Sequence, residues 1–378
     1  MGEFRGVELN DLVLSSARLT LRPWQDSDAD AVFTAMQDRG MHEFLPLPDP
    51  YTRQDAAEFV DEFGDEGRGS GTGVGAALVE SGTGRVVGSA ALRLPKPRQV
   101  SAELGYAVYP DAQGNGFAAE ASRVLAAWAF AHGVSRVAIR CAVGNLASVK
   151  TSLNAGFRFE AVLRGDVSVA GGVADSAVFA RLAGDDAESI EPVAPELPTS
   201  GLGDGVVSLR PLLPGDEHGL LEQDQDPLTR QWEFTDKLRD PDEHIRLAAA
   251  ARLHWLVGPV LRCAIVDAAT GSYAGMISVR LHGPPNIGGI GYGVRPAFRG
   301  RGYTSRALRL LVPWAFDVAG FARLELGAKQ DNAASLRAAQ HAGFEADGVR
   351  RARLRNPDGT FSDEVRYALV NPRYRSAS

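Results

Sequence analysis

Apolar runs and helical periodicities follow one another along this chain in an order that occurs twice. In the first half, Leu19–Arg22 reads as an early strand. Polar helical segments follow, then a hairpin-like pair, Val74–Val79 with Val86–Leu94. Leu104–Val108 is a further strand-like run and leads through a glycine-rich turn into an amphipathic helix anchored by Phe117, Ala121, Val124, Leu125 and Trp128. A strand over Arg136–Ala142, a short helix opened by Asn145-Leu146-Ala147-Ser148 and a strand pair linked at Gly171-Gly172 complete the set. The second half repeats it with Val206–Arg210, the pair Arg262–Val266 and Tyr273–Leu281, Ile290–Val294, a helix on Tyr303, Ala307, Leu310, Leu311 and Trp314, Arg323–Ala328, Asn332-Ala333-Ala334-Ser335 and a turn at Asn356-Pro357-Asp358-Gly359. The pattern predicts a mixed α/β domain used twice.

The register of the repeat is tight. Gln113 and Arg299 lie 186 residues apart, as do the helix anchors; the Asn-x-x-Ser and Gly-Phe pairs (Gly156-Phe157, Gly343-Phe344) lie 187 apart, and Leu21-Arg22-Pro23 lies 188 before Leu209-Arg210-Pro211. Solenoid repeats run to roughly 20–50 residues, so a period this long marks duplicated domains. The acidic, Pro-rich and aperiodic stretch 184–203 is expected to be an extended linker between an N-terminal domain (1–183) and a C-terminal domain (204–378). Pro313 stands inside the second helix where the first has Ala127, and a kink is expected there.

Composition narrows the class. The chain is 44% hydrophobic and 23% charged over 378 residues, as in globular proteins with room for two cores. No apolar run approaches the ~20 residues that span a bilayer. The opening residues Met1 to Gly6 lack a hydrophobic leader, and the two cysteines, Cys141 and Cys263, fall in different halves; a cytoplasmic protein without membrane attachment is expected. The net charge of −7 is uneven: −7 over 1–186, −3 over 187–199 and +3 over 200–378. An acidic first half argues against nucleic acid as partner. His42, His132, His218, His244, His254, His282 and His341 show no metal-ligand spacing, and no metal is expected.

The chemistry concentrates in the turns Val108–Phe117 and Val294–Tyr303. A strand, a tight glycine turn and a helix start aim several backbone N–H groups and the positive end of a helix dipole at one spot, which suits a pyrophosphate. There is no Gly-Lys-Ser/Thr, and no Gly-x-Gly-x-x-Gly followed by a suitable acidic residue, so P-loop and dinucleotide-binding readings are disfavoured.

These residues resemble a known family. Gln113-Gly114-Asn115-Gly116 and Arg299-Gly300-Arg301-Gly302 are similar to the Arg/Gln-x-x-Gly-x-Gly/Ala signature of GCN5-related N-acetyltransferases (GNAT). The Gly-Tyr strands before them, the Asn-x-x-Ser and Gly-Phe pairs after them and the Leu-Arg-Pro openings resemble the RimJ/RimL branch. The resemblance implies two tandem GNAT domains in pseudo-two-fold relation, each a mixed, mostly antiparallel sheet flanked by helices, in a monomer or homodimer. It implies an N-acetyltransferase that uses acetyl-CoA and a primary amine on a peptide N-terminus or small molecule. It also implies a bulged strand that splays from its neighbour, with a backbone N–H near Val108 or Val294 facing the thioester oxygen. The amides of Gly114, Asn115, Gly116, Phe117 and Ala118 would hold the pyrophosphate, as would those of Gly300, Arg301, Gly302, Tyr303 and Thr304, and Gln113 and Arg299 would also belong to the cofactor site.

Acyl transfer to an amine needs an unprotonated amine, a stabilised oxyanion and a proton for the leaving thiolate. Ser148 and Ser335 are candidates for supplying that proton, and Asn145 and Asn332 for holding the pantetheine arm; helix capping by Asn with a surface Ser is the alternative. Glu103 is a candidate general base or a solvent-facing strand-end carboxylate, and its counterpart is Gly289. Arg295, Arg299 and Arg301 have no basic equivalents in the first turn, so tighter acetyl-CoA binding is expected in the second half. Cys141, Trp128 and Trp314 read as packing residues. His42-Glu43-Phe44 and Trp232-Glu233-Phe234 lie where acceptor-binding loops are expected. Transfer of longer acyl groups, or acyl-CoA sensing without turnover, are the alternatives.

Overall fold

The computed structural model describes residues 12–65, 73–94, 100–233, 237–282 and 286–374. Met1 to Gly6 and Phe234 lie outside them. The chain divides into two compact units, Met1–Glu191 and Pro192–Ser378.

In the first unit the strands are β1 (Leu14–Ser15), β2 (Leu19–Arg22), β3 (Gly73–Glu80), β4 (Val86–Arg93), β5 (Ser101–Val108), β6 (Arg136–Ala142), β7 (Arg158–Val169) and β8 (Gly172–Leu182). They form one sheet in the order β1-β2-β3-β4-β5-β6-β8-β7, antiparallel except where β5 meets β6. A parallel pair needs a crossover, and helix α4 (Phe117–Ala131) supplies it. The α4 face that buries Phe117, Ala121, Leu125 and Trp128 is the one its periodicity anticipates. Helices α1 (Ala29–Ala35), α2 (Arg39–Phe44) and α3 (Arg53–Asp65) belong to the opposite side, where Trp24, Val32, Val60, Ala77 and Val79 make a second core. Helix α5 (Leu146–Asn154) follows β6.

The second unit repeats this plan. Its strands are β9 (Leu202–Gly203), β10 (Val207–Pro211), β11 (Val260–Asp267), β12 (Tyr273–His282), β13 (Ile287–Val294), β14 (Arg323–Lys329), β15 (Glu345–Arg355) and β16 (Phe361–Val370), ordered β9-β10-β11-β12-β13-β14-β16-β15, with β13 and β14 the parallel pair. Helix α10 (Tyr303–Asp317) covers the core of Leu209, Ile265, Ile277, Leu311 and Trp314; α11 (Ala333–His341) follows β14. Helices α6 (Glu217–Gln225), α7 (Pro227–Trp232), α8 (Pro241–Ala249) and α9 (Ala251–Val257) lie between β10 and β11. Leu212, Leu220, Ala248 and Ala264 fill a smaller core there. Each unit is thus a mixed, mostly antiparallel sheet flanked by helices.

The Leu-Arg-Pro openings have a structural explanation. Leu21 and Leu209 are buried core residues. Arg22 makes a two-pronged ion pair with Asp28 (2.7 and 2.9 Å), as Arg210 does with Asp216 (2.7 and 2.8 Å). Those carboxylates also cap the turns at Gln25 N–H and Leu213 N–H. Each motif therefore clamps strand to helix by charge-assisted bonds.

Between the units, the stretch read as a linker packs along both. Ile190 N–H donates to Leu153 O (3.0 Å) and Ser189 Oγ to Asn154 Oδ1 (3.2 Å) in the first. In the second, Ala194 and Leu197 join the core and Trp255 Nε1 donates to Pro195 O (2.9 Å).

Both cysteines are free and buried. Trp128 packs near His132 and Trp314 near Trp255. No helix among the described residues is long and apolar enough to cross a membrane.

Helix α10 continues through Pro313 to Asp317. Proline cannot donate to the Arg309 carbonyl, and Pro313 is exposed, so its removal forfeits no core packing. Pro313→Ala is expected to stabilise the second domain by about 1–3 kcal/mol, read as a rise in the denaturant midpoint of its transition; an unchanged or lower midpoint would contradict this.

Candidate active sites

The site in each domain begins with two parallel strands that part. β5 pairs with β6 only at Ser101↔Arg136, Ala102↔Val137 and Glu103↔Ala138, although β5 runs on to Val108 and β6 to Ala142. β13 and β14 pair from Ile287↔Arg323 to Ile290↔Leu326 and then diverge. Beyond the last pair, backbone groups on the facing edges have no partner strand. Tyr109 N–H donates to Val87 O (2.9 Å), and Arg295 N–H to Ala274 O (2.8 Å). By strand alternation the N–H groups of Val108 and Val294 point the other way, into the opening. The expected bulge is absent: pairing runs without a register shift from Arg93↔Glu103 to Gly88↔Val108, and from His282↔Ile287 to Gly275↔Val294. Divergence on the parallel side alone makes the gap.

The turn closes one end of this opening. Gln113 Nε2 donates to Val108 O (3.1 Å), and Arg299 Nε to Val294 O (3.3 Å), so the same turn position tethers the strand end in both copies. Gly116 and Gly302 cap α4 and α10 in the left-handed region, at φ 77° and 74°. Neither helix start carries a side-chain cap. Between Gln113 N–H, given to Pro110 O, and Glu120 N–H, given to Gly116 O, no amide is used in a turn or cap bond among the described residues; the same holds between Arg299 and Arg306. The amides of Gly114, Asn115, Gly116, Phe117 and Ala118, and of Gly300, Arg301, Gly302, Tyr303 and Thr304, thus form an uncapped cradle with the polarity an anion requires.

The other wall carries the serines. Asn145 Oδ1 accepts from Ser148 N–H (3.0 Å) and Asn332 Oδ1 from Ser335 N–H (3.1 Å). The asparagine oxygens therefore cap α5 and α11, and the remaining NH2 of each is the group that could meet a ligand. Ser148 Oγ lies 2.9 Å from Tyr106 Oη, and Ser335 Oγ 2.8 Å from Tyr292 Oη. Sequence reading missed these tyrosines as site residues, although the repeated Gly-Tyr was the available signal. Burial pushes the Tyr106 phenol up to about 12, with Ser148 pulling slightly the other way; burial also raises Tyr292. Both phenols stay protonated at neutral pH and can pass a hydrogen bond to serine. Cys141, whose thiol burial pushes up to about 11, sits beside this pair as a neutral packing group.

Glu103 lies on the other face of β5. Ala102 and Leu104 are buried beneath α4, so alternation turns Glu103, Gly105 and Ala107 toward the core containing Trp24 and Val32, where Ala107 packs. Its counterpart Gly289 lies beside Glu325 across the parallel pair. That carboxylate is held by Arg323 (2.7 Å) and by Arg366. Burial pushes it up, but the two guanidiniums bring it below its ordinary value. Of the expected acceptor loops, His42 Nε2 lies 2.7 Å from Met36 O, while Lys329 Nζ donates to Gln231 O (3.2 Å) and Glu233 O (3.0 Å) next to Trp232.

The charge contrast between the turns is smaller than their sequences suggest. Arg295 is paired with Glu222, and Arg299 with Asp226, whose carboxyl the Arg299 bond holds below its usual range. Arg301 lies over the Phe298 ring at 5.6 Å. The first turn in turn receives a cation from far upstream: Arg18 Nη1 donates to Asn115 O (2.9 Å), pairs with Glu120 (2.6 Å) and lies 5.1 Å from the centre of the Phe117 ring. In the second domain the pair is reversed, with Arg306 on the helix and Asp204 on the strand side (2.8 Å). A sequence separation of about a hundred residues hid both contacts from local reading. No group of three or more His, Cys, Asp or Glu suited to a metal ion occurs among the described residues.

Residues 18–158 and 207–345 each match the family model described as acetyltransferase (GNAT) domain. The chain is 28% identical over 156 residues to the uncharacterized N-acetyltransferase YoaA of Bacillus subtilis (strain 168), covering 40% of this chain and 86% of that protein. It is 34% identical over 83 residues to the probable N-acetyltransferase YjcK of the same organism, covering 22% and 45%. Among solved structures, RimL, a ribosomal L7/L12 alpha-N-protein acetyltransferase in complex with coenzyme A, aligns at 19% identity over 45% of this chain and 98% of its own, TM-score 0.41. RimJ of Mycobacterium smegmatis in complex with CoA-disulfide aligns at 21% identity over 50% and 93%, TM-score 0.41. The family match, found once in each domain, means that the chain belongs to the GNAT family as a tandem, acetyl-CoA-dependent acetyltransferase.

Proposed function

We propose that this enzyme acetylates a primary amine, on a peptide N-terminus or a small molecule, by direct transfer, and that each domain carries its own acetyl-CoA site. The observation behind this reading is that an uncapped amide cradle, a strand N–H facing an opening and a serine held by a half-buried tyrosine meet in each domain. Acetyl-CoA supplies an acetyl group activated as a thioester. The amides from Gly114 to Ala118 bind its diphosphate, and Val108 N–H donates at the opening. Ser148, oriented by Tyr106 and by the Asn145 cap, holds the proton needed when a thiolate leaves. Glu103, on the opposite sheet face, accepts the proton of an incoming ammonium. In the second domain Val294, the amides from Gly300 to Thr304, Ser335 and Tyr292 take the same parts, while Gly289 offers no carboxylate. The first domain is therefore the better equipped for a protonated acceptor.

Three outcomes test this. Calorimetric titration of the full chain with coenzyme A should show two sites. Gly116→Val or Gly302→Val should each leave one, because a β-branched residue is strained at positive φ and its side chain crowds the cradle; two sites in either variant would contradict the assignment. In a Gly302→Val background, Ser148→Ala should lower kcat by about 10²-fold with the KM for acetyl-CoA nearly unchanged, followed by CoA release with an amine panel. In that background the alkaline side of the pH–rate profile should show no loss traceable to Tyr106 below about pH 11. Its folded value lies above the ordinary phenol value, so the proton is kept until the pH approaches about 12; an alkaline limb between pH 8 and 10 that Tyr106→Phe abolishes would refute the role.

A further inference from the structure

The two domains differ most on the sheet face away from α4 and α10, where Glu103 or Gly289 lies. In the first domain the register sets Arg93 beside Glu103 and Ala91 beside Gly75, so Arg93 has an acid as its lateral neighbour. At the corresponding register of the second domain, Arg280 stands beside Gly289, and Ser278 beside Arg262. Arg262 and Arg280 are diagonal neighbours on adjacent strands, and period-two alternation puts both, with Ser278, on one face. The glycines Gly289 and Gly291 leave that face bare on the β13 side, and Ser278 Oγ bonds Gly291 O (3.4 Å).

Among the described residues no carboxylate pairs with Arg262 or Arg280. The surrounding acids are occupied: Asp224 takes Arg239 (3.1 Å) and lies 3.5 Å from His244, and Glu325 takes Arg323 and Arg366. Arg262 is half-buried. Burial, then the like charges of Arg280 and Arg239, push it below the usual guanidinium value. Burial, then the charge of Arg262, hold His254 below the ordinary imidazole value. A half-buried guanidinium with a second cation beside it is costly unless an anion joins them.

Resting on the acetyltransferase reading above, we infer that the second domain selects acceptors that carry a carboxylate close to the amine, bound between Arg262 and Arg280. The first domain, with Glu103 on the same face, disfavours such acceptors by charge repulsion. The tandem thus serves two acceptor classes: cationic or neutral amines in the first domain, acidic ones in the second.

The test uses the full chain carrying Gly116→Val, so that transfer reports the second domain. Two tripeptides are compared, Ala-Glu-Ala and Ala-Gln-Ala with blocked C-termini, together with their N-acetylated, unreactive forms. The glutamyl peptides should bind at least about 10-fold more tightly by calorimetry in the presence of coenzyme A, and show a correspondingly lower KM. Arg262→Met and the exposed Arg280→Gln should each collapse that ratio; Arg280→Gln is the safer variant for folding. Raising the salt concentration should shrink the ratio as well. Equal affinity for the two peptides, or an undiminished ratio in Arg280→Gln, would overturn the inference. Acetylation without charge preference would refute it while leaving the acetyltransferase reading intact. Charge-selective binding of the acetylated peptides without transfer to either amine would spare it and sink that reading.

Discussion

Backbone hydrogen bonding governs this molecule. A strand inside a sheet normally has partners on both edges, and leaving buried N–H and C=O groups unmatched is costly. In each domain one central strand keeps its antiparallel partner to the end yet loses its parallel one after three or four residues. The resulting gap leaves the N–H groups of Val108 and Val294 without a strand partner among the described residues, while their carbonyls take Gln113 and Arg299. Around it the fold supplies a glycine turn, an uncapped helix start and a capped short helix bearing a hydroxyl. Under the proposed function, a substrate that is itself a chain of amides ending in phosphates would satisfy what the sheet leaves open.

Duplication lets the two copies act as controls for each other. Features present in both belong to the shared scaffold: the Arg-Asp clamps at Leu-Arg-Pro, the Gln113/Arg299 tether, the Tyr–Ser couples and the Asn caps. Features that differ concern charge. The Arg18–Glu120 pair is inverted as Asp204–Arg306, which keeps each helix start stapled to its sheet while exchanging which side bears the cation. On the acceptor side an acid has become a glycine and a glycine an arginine. Packing is retained around the proposed cofactor site, and electrostatics diverge on the sheet face proposed for the acceptor.

Much of this was legible in the residues. Glycines with a fixed spacing between an apolar strand and an amphipathic helix state their backbone requirement locally, and their recurrence with Asn-x-x-Ser and Gly-Phe exposed the duplication. Less legible were contacts that only the tertiary fold creates. Tyr106 meets Ser148 across 42 residues, Arg18 reaches Asn115 across 97, and the Arg262–Arg280 juxtaposition exists only through sheet register. The expected bulge misassigned a local distortion to what is a divergence of neighbouring strands. The segment 184–203 misleads composition-based reading in another way. Its prolines and acids look solvated, yet Ala194 and Leu197 between them are core residues.

That segment sets where the gene could be cut. A fragment beginning near residue 204 would lack Ala194, Leu197 and the Pro195 carbonyl that receives the Trp255 indole, leaving a hydrophobic hollow and an orphaned donor beneath α9. A fragment ending near 183 would strip the first domain of the strap that crosses the end of α5 at Leu153 and Asn154. Scission between Glu191 and Pro192 gives each half its own lashing.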